Sequence, residues 1–143
     1  MTEKVIIRQN SRFETEILAV DPEDSGGDRY QAVHAVHELS PYGMLLASLG
    51  GCTAIVLHTY AQNHGLALDA VELRLEFRRV FEEDCQNCTE IEQYKDQIEE
   101  ELVLSGELSE QERSKLFQVA HYCPIHKMLE SGMEVESKLV ESV

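Results

Sequence analysis

The longest stretch without a charged side chain runs from Leu39 to Leu68, a range that contains no Asp, Glu, Lys or Arg. Ser40 followed by Pro41 is typical of a helix start, because a hydroxyl caps free amides and proline suits the first turn. Gly65 suits the helix end. Since apolar residues occur on every side of the intervening turns, the pattern predicts a buried core helix over residues 41–64.

Cys52 lies in the middle of this predicted helix, directly after Gly50 and Gly51. Each glycine in a helix interior costs roughly 1 kcal/mol relative to alanine, so a packing or functional reason is expected. Two interpretations remain open. Either another backbone approaches the helix closely, or the helix breaks and Cys52 begins a new segment.

Alternation of apolar and polar residues elsewhere predicts strands. The predicted strands are residues 4–9, 12–20, 30–37, 69–81, 98–105 and 133–140. The clearest is 69–81, where apolar residues alternate with charged ones, so one face of this strand must be in contact with water. Residues 21–28 and the acidic stretch 82–90 are predicted loops.

Two short helices are predicted near the C-terminal end. Ser109 and Glu112 have the spacing of a capping box, which begins the first of them. Pro124 begins the second, which runs to about Ser131 and makes Cys123 its N-cap. A sulfur there faces unpaired amides and the positive end of the helix dipole, so we expect a lowered thiol pKa.

The order of elements is three strands, a buried helix, two strands, a helix pair and one strand. This order predicts an α+β fold in which a mainly antiparallel sheet packs on helices. The length of 143 residues predicts one domain spanning 1–143.

The charge balance excludes several classes of partner. The chain has 27 acidic and 12 basic residues, a formal net charge of -15. Such a surface repels phosphate backbones and anionic lipids, so neither nucleic-acid nor membrane binding is expected. The apolar stretch is interrupted by small and polar residues, and no basic cluster flanks it, so a membrane span is not predicted. The beginning of the chain does not resemble a secretory signal, and a cytoplasmic location is expected.

Four cysteines in a cytoplasmic protein indicate redox chemistry or metal binding rather than structural disulfides. The first interpretation pairs Cys52 with Cys123, since each can lie at a helix start and both lie on apolar faces. Two thiols facing each other in one cleft would form a peroxidatic and resolving pair. One thiolate is oxidised to a sulfenic acid, which then condenses with the second thiol to a disulfide.

A second interpretation is a zinc site. Cys85-x-x-Cys88 followed by Cys123-x-x-His126 has the ligand types and pair spacings of a Cys3His site. A third is that Cys85 and Cys88 form a dithiol of their own. The acidic residues around that pair would raise both thiol pKa values, so an attacking thiolate of the thioredoxin type is not expected.

Two motifs together resemble those of the OsmC/Ohr family. The first is Pro41 to Tyr60, which contains Leu45-Leu46-Ala47-Ser48-Leu49-Gly50-Gly51-Cys52-Thr53-Ala54, and the second is Tyr122-Cys123-Pro124-Ile125-His126-Lys127. The order of predicted elements matches over nearly the whole chain. The acidic loop with its two cysteines resembles a poorly characterised branch of the family.

The resemblance implies an OsmC-like fold in an intertwined homodimer, with antiparallel sheets packed on a buried central helix and the site at the subunit interface. It further implies reduction of organic hydroperoxides by a two-cysteine cycle that uses a dithiol reductant and no cofactor. Cys52 would be the reactive cysteine and Cys123 the resolving one.

The sequence departs from the family pattern at two points. Well-characterised members have a glutamate just after the proline that opens the central helix, where this chain has Tyr42 and Gly43. They also hold the thiolate and the peroxide with an arginine from the N-terminal strands. Arg8, Arg12 and Arg29 are the candidates here, and the sequence does not select among them.

Overall fold

A five-stranded antiparallel sheet packs against a long central helix in the computed structural model, which describes residues 2–20, 28–81 and 94–141. The strands are β1 (Thr2–Asn10), β2 (Thr15–Val20), β3 (Tyr30–Ala32), β4 (Leu68–Phe81) and β5 (Tyr94–Gly106). The helices are α1 (Pro41–Asn63), α2 (Glu110–Ala120) and α3 (Pro124–Ser131). The strand order is β3-β2-β1-β4-β5, with every pair antiparallel, which confirms the predicted α+β class.

The two faces of the sheet differ as the alternation on β4 predicted. Its apolar residues Val71, Leu73, Leu75 and Phe77 are buried, and they face the helices with Val5 and Ile7 of β1. On the opposite face, the Glu72 carboxylate accepts hydrogen bonds from Nε of Arg8 at 2.6 Å and from Nε of Arg74 at 2.7 Å. The sheet therefore has one dry face and one face of ion pairs.

Helix α1 has the predicted extent. The Ser40 hydroxyl accepts a hydrogen bond from the Gly43 N–H at 3.0 Å, Pro41 is the first helical residue, and Gly65 follows the helix in the left-handed region. Length and apolar composition alone would let this helix cross a membrane. Nine of its residues are buried in this fold, so α1 is the core helix that the sequence predicted.

The paired glycines of α1 are explained by close packing. A Cβ at Gly50 would lie 2.6 Å from Cγ1 of Ile7 and 2.8 Å from Cδ1 of Leu75, whereas a Cβ at Gly51 would have nothing within 4 Å. Gly50 therefore lets the helix lie directly on β1 and β4. The alternative, a helix break that makes Cys52 start a new segment, is wrong, because α1 is continuous through this residue.

The turn between β1 and β2 is longer than predicted. The side-chain oxygen of Asn10 accepts hydrogen bonds from the N–H groups of Arg12 and Glu14, and Phe13 has a φ of 63°. Side-chain to backbone bonds of this kind replace ladder pairing. The second strand therefore begins at Thr15 rather than at residue 12.

The predicted third strand over residues 30–37 is too long. Strand β3 ends at Ala32, and a 3₁₀ turn follows at Val36–Glu38. The Glu38 carboxylate accepts a hydrogen bond from the backbone N–H of His34 at 3.0 Å, which holds the chain in a turn.

The two C-terminal helices are as predicted. The capping box of Ser109 and Glu112 is formed in both directions, at 3.1 Å and 2.8 Å, and Cys123 is the N-cap of α3. The strand predicted for residues 133–140 is wrong in this chain, because these residues are exposed and lie in no strand. A strand needs a hydrogen-bonding neighbour, which alternation alone does not supply. The predicted loop 82–90 and most of the predicted loop 21–28 lie outside the described residues.

Candidate active site

Cys52 and Cys123 come together although they are far apart in sequence. Cys52 is partly exposed on α1, Cys123 is fully buried at the start of α3, and both are free thiols. The Cys52 thiol interacts with the Cys123 thiol and with the backbone N–H of Ile125. The fold therefore brings the two thiols close enough for Cys123 to affect the ionisation of Cys52.

The surroundings of Cys52 do not favour its thiolate in this chain. Burial raises the pKa of the Cys52 thiol, the Cys123 thiol raises it further through a hydrogen bond and its own charge, and the Ile125 N–H lowers it. The thiolate is the nucleophilic form of cysteine. Efficient attack by Cys52 therefore needs a further group that stabilises negative charge.

The first turn of α3 faces a different sulfur from the one expected. Cys123 is the N-cap, as predicted, but its side chain makes no capping hydrogen bond. The backbone N–H of Ile125, one of the free amides of that turn, contacts Cys52 instead. The first turn of α3, which the sequence analysis associated with Cys123, thus stabilises negative charge on Cys52 instead.

A cavity of about 430 Å³ lies between α1, the helix that carries Cys52, and α3, the helix whose N-cap is Cys123. It is lined by Tyr42, Leu45 and Leu49 of α1, Phe77 of β4, Asp96, Gln97, Ile98 and Glu100 of β5, and His126, Leu129 and Glu130 of α3. Neither cysteine lines it. Leu49 lies one helical turn before Cys52, and His126 lies one turn after Cys123, so the cavity lies next to the helix turns that carry the two cysteines.

The wall of the cavity shows what replaces the family glutamate. Tyr42 stacks on Phe77 with the ring centroids 4.5 Å apart and an interplanar angle of 21°. Gly43 is buried, and a Cβ there would lie 3.3 Å from both Cδ2 of Leu39 and Oγ of Ser40. At this helix start the chain therefore has an aromatic wall, and neither residue can act as a carboxylate.

The cavity contains a carboxyl group that the sequence reasoning missed. Glu100 is partly buried on β5, and its Oε2 is buried without a hydrogen-bond partner among the described residues. Burial raises its pKa, while His126 and His121 lower it less strongly. The signal was present in the alternation of Ile98, Glu100 and Leu102, but two further glutamates beside Glu100 hid it.

The candidate arginines lie away from the cysteine pair of the same chain. Nε of Arg8 lies 2.6 Å from Glu72, on the sheet face opposite α1. Nε of Arg12 lies 2.8 Å from Glu14 in the exposed turn after β1, and Arg29 is exposed just before β3. A thiolate-stabilising role for any of the three stays a prediction.

Two of the four zinc ligands predicted from spacing, Cys123 and His126, lie among the described residues. Nε2 of His126 lies 2.5 Å from Oε1 of Glu130, and Cys123 interacts with Cys52. Cys85 and Cys88 lie outside the described residues, so both the zinc site and the separate dithiol stay predictions. Among residues 2–20, 28–81 and 94–141, no group of three or more His, Cys, Asp or Glu side chains could hold a metal ion.

Comparison with solved structures supports the fold. An OsmC-like hydroperoxide resistance protein from Jannaschia sp. CCS1 has a TM-score of 0.60 and 13% identity, over 99% of this chain and 96% of that one. An organic hydroperoxide resistance protein from Elizabethkingia anophelis has a TM-score of 0.52 and 12% identity, over 90% of this chain and 89% of that one. Because both identities are this low, the similarity shows a shared fold only.

Comparison with families and curated proteins gives two results. Among curated proteins, none matches the sequence significantly. The family model described as OsmC-like protein matches residues 34–138, a range that includes both Cys52 and Cys123 and most of the chain. The chain therefore belongs to the OsmC-like protein family.

Proposed function

We propose that this protein reduces organic hydroperoxides, with Cys52 as the reactive cysteine and Cys123 as the resolving one, and that it serves in defence against peroxides. The observation that carries the proposal is the interaction between these two thiols, on helix turns next to those that line a mostly apolar cavity. Membership of the OsmC-like family and the hydroperoxide resistance described for both structural relatives support it.

The proposed cycle begins on the Cys52 sulfur. Its thiolate attacks the terminal oxygen of R–O–OH, the O–O bond breaks, and the alkoxide takes up a proton to leave as the alcohol. Cys52 is then a sulfenic acid. The Cys123 thiol attacks that sulfur and releases water, which leaves a disulfide. A dithiol reductant restores both thiols by exchange, and no cofactor takes part.

Assembly as a homodimer is part of the proposal. Met44 and Ile55 on α1 are 38% and 49% exposed, and Met133, Val135, Leu139 and Val140 after α3 are each more than 60% exposed. Exposed apolar residues on one face of a helix, and a further set in an exposed segment, are typical of an interface. A second copy of the chain would cover them, and it could bring one of the candidate arginines to Cys52.

A second candidate function is binding of a small molecule without turnover. The raised pKa of Cys52 favours it, because it reduces the population of reactive thiolate. The absence of the family glutamate at Tyr42 and Gly43 also favours it, because the arrangement that orients an arginine at the thiolate is then incomplete. The location expected for either function is the cytoplasm, where dithiol reductants are abundant.

Consumption of an alkyl hydroperoxide in the presence of a dithiol reductant tests the proposal. We expect the wild-type protein to turn over and Cys52→Ser to be inert from the first turnover. Cys85→Ser is the matched control, and it should retain the first turnover. Equal rates for wild type and Cys52→Ser would contradict the peroxidase proposal and leave ligand binding as the function of the cavity.

A further inference from the structure

Glu100 occupies a position where the sheet otherwise has apolar residues. It pairs directly with Leu75 of β4, which is buried against α1 at Gly50. Side chains of directly paired residues point to the same face of a sheet. Ile98 and Leu102, two positions before and after Glu100 on β5, are packed against the core on this face. The carboxyl group of Glu100 therefore interrupts the apolar row between Ile98 and Leu102.

An inward charge on an edge strand can simply prevent edge-to-edge association, and β5 is an edge strand. Glu100, however, also lines the cavity between α1 and α3. Two other acidic residues, Asp96 and Glu130, line the same cavity, and Glu100 differs from both. Asp96 is 2.8 Å from Nε of Arg79, and Glu130 is 2.5 Å from Nε2 of His126, whereas Oε2 of Glu100 has no hydrogen-bond partner among the described residues.

The remaining charges around the cavity are also unsuited to an anion. No lysine or arginine is among the described lining residues. Besides Asp96 and Glu130, the titratable side chains that line the cavity with Glu100 are Tyr42 from α1 and His126 from α3, and His121 at the end of α2 also acts on the Glu100 charge. An anionic ligand would thus enter beside an unpaired carboxylate, and the cation nearest to the lining residues, Arg79, already pairs with Asp96.

We propose that Glu100 is a specificity-determining residue that makes the cavity accept uncharged, apolar hydroperoxides and reject those that carry a carboxylate. The inference rests on the proposed function, since it names the substrate class of that site. The apolar walls of Tyr42, Leu45 and Leu49 would hold the hydrocarbon part of the substrate. The unpartnered Glu100 oxygen would repel a substrate carboxylate and accept a hydrogen bond from a neutral hydroxyl or hydroperoxyl group.

A matched substrate pair tests this selectivity. A long-chain fatty acid hydroperoxide and its methyl ester differ in charge but share the peroxide and the chain. At about pH 8, well above the ordinary carboxyl range, we expect the ester to react roughly tenfold faster or more in kcat/KM, because like charges repel strongly at close quarters. Glu100→Gln should bring the ratio of the ester kcat/KM to the acid kcat/KM closer to one. Glu101→Gln, which removes the same charge from the exposed face of β5, should leave the ratio unchanged.

Alkylation of Cys52 separates a failure of this inference from a failure of the peroxidase proposal. Iodoacetamide and iodoacetate are neutral and anionic reagents of similar size. The Cys52 thiolate attacks the CH2 carbon of either one, a C–S bond forms and iodide leaves into solution. This measurement can be made on the wild-type protein and does not depend on peroxide turnover. We expect the ratio of iodoacetate to iodoacetamide rates at Cys52 to lie well below that of glutathione, and to rise in Glu100→Gln but not in Glu101→Gln.

The outcomes are distinct. A wild type that consumes no hydroperoxide refutes the proposed function, and the substrate inference with it. A wild type that is active but treats acid and ester alike refutes only the role of Glu100. An alkylation ratio equal to that of glutathione also refutes the role of Glu100, because Cys52 would then show no selectivity against the anionic reagent. Equal changes of this ratio in Glu100→Gln and Glu101→Gln refute it too, because the effect would then come from the net charge of the protein.

Discussion

The thiol of Cys52, in the middle of α1, interacts with the thiol of Cys123, the residue that caps α3. This contact joins two parts of the chain separated by two long strands and a helix. The same packing brings the N–H of Ile125 to the Cys52 sulfur. The start of α3 thus contributes both the second thiol and a hydrogen-bond donor to the first.

Removal of the second thiol should change the fate of the first. In Cys123→Ser the first oxidation of Cys52 still occurs, but no internal disulfide can form. Cys52 should then proceed from sulfenic to sulfinic acid under excess hydroperoxide, after about one turnover. Peptide mass spectrometry of the Cys52 peptide measures this. Continued turnover of Cys123→Ser without overoxidation would show that another thiol resolves the sulfenic acid.

The two glycines before Cys52 should respond differently to alanine. Both substitutions gain helix propensity, so the difference between them reports packing. Gly50→Ala places a Cβ 2.6 Å from Cγ1 of Ile7, and overpacking of this kind costs roughly 1–3 kcal/mol in the free energy of unfolding. Gly51→Ala meets nothing within 4 Å. Denaturant unfolding should rank Gly51→Ala as the more stable variant, and the reverse order would contradict the observed packing.

The sequence predicted this helix because its evidence is local. The hydroxyl of Ser40, the fixed ring of Pro41 and the absence of charge all lie within the segment itself. It also predicted both C-terminal helices from the capping box and from Pro124. The reason for Gly50 could only be narrowed to two alternatives, because it depends on which strand lies across the helix.

The sequence was least informative where packing or strand pairing decides the structure of a segment. Residues 133–140 alternate like a strand, yet pairing depends on a neighbouring edge that alternation cannot reveal. Glu100 was missed for a related reason. Its neighbours on both sides are also glutamates, so only the pairing of β5 with β4 shows that this one faces inward.

The stability of the fold should depend on the titration of Glu100. Its pKa is raised in the folded state by burial, so the folded state holds this proton at pH values where the unfolded chain has lost it. Stability is therefore fully present below the ordinary carboxyl pKa and falls as the pH rises through the raised value. Glu100→Gln lacks this titration, and the stability of this variant relative to wild type should increase with pH over that window.

Thermal unfolding across mildly acidic to neutral pH measures the effect. Glu101→Gln, on the exposed face of the same strand, is the control and should follow the wild type. Parallel pH curves for wild type and Glu100→Gln would show that this carboxyl group titrates alike in the folded and unfolded states.

The exposed apolar face of α1 should be covered by a second copy of the chain. Ile55→Asp places a charge at the middle of that face, and burying an uncompensated charge in an interface is strongly unfavourable. Sedimentation should give a dimer for wild type and a shift towards monomer for Ile55→Asp. Asn63→Asp, at the exposed end of α1, adds the same charge and should remain dimeric. A folded wild-type monomer at micromolar concentration would contradict the proposed assembly.

The central claim is that Cys52 and Cys123 form one redox pair, and its most direct test is to treat the fully reduced protein with one equivalent of an alkyl hydroperoxide. Digestion without reductant, followed by peptide mass spectrometry, identifies the bond that forms. The account predicts a disulfide between the Cys52 and Cys123 peptides, formed as the hydroperoxide is consumed and absent in Cys52→Ser. Consumption with both thiols still reduced, or a disulfide confined to Cys85 and Cys88, would contradict it.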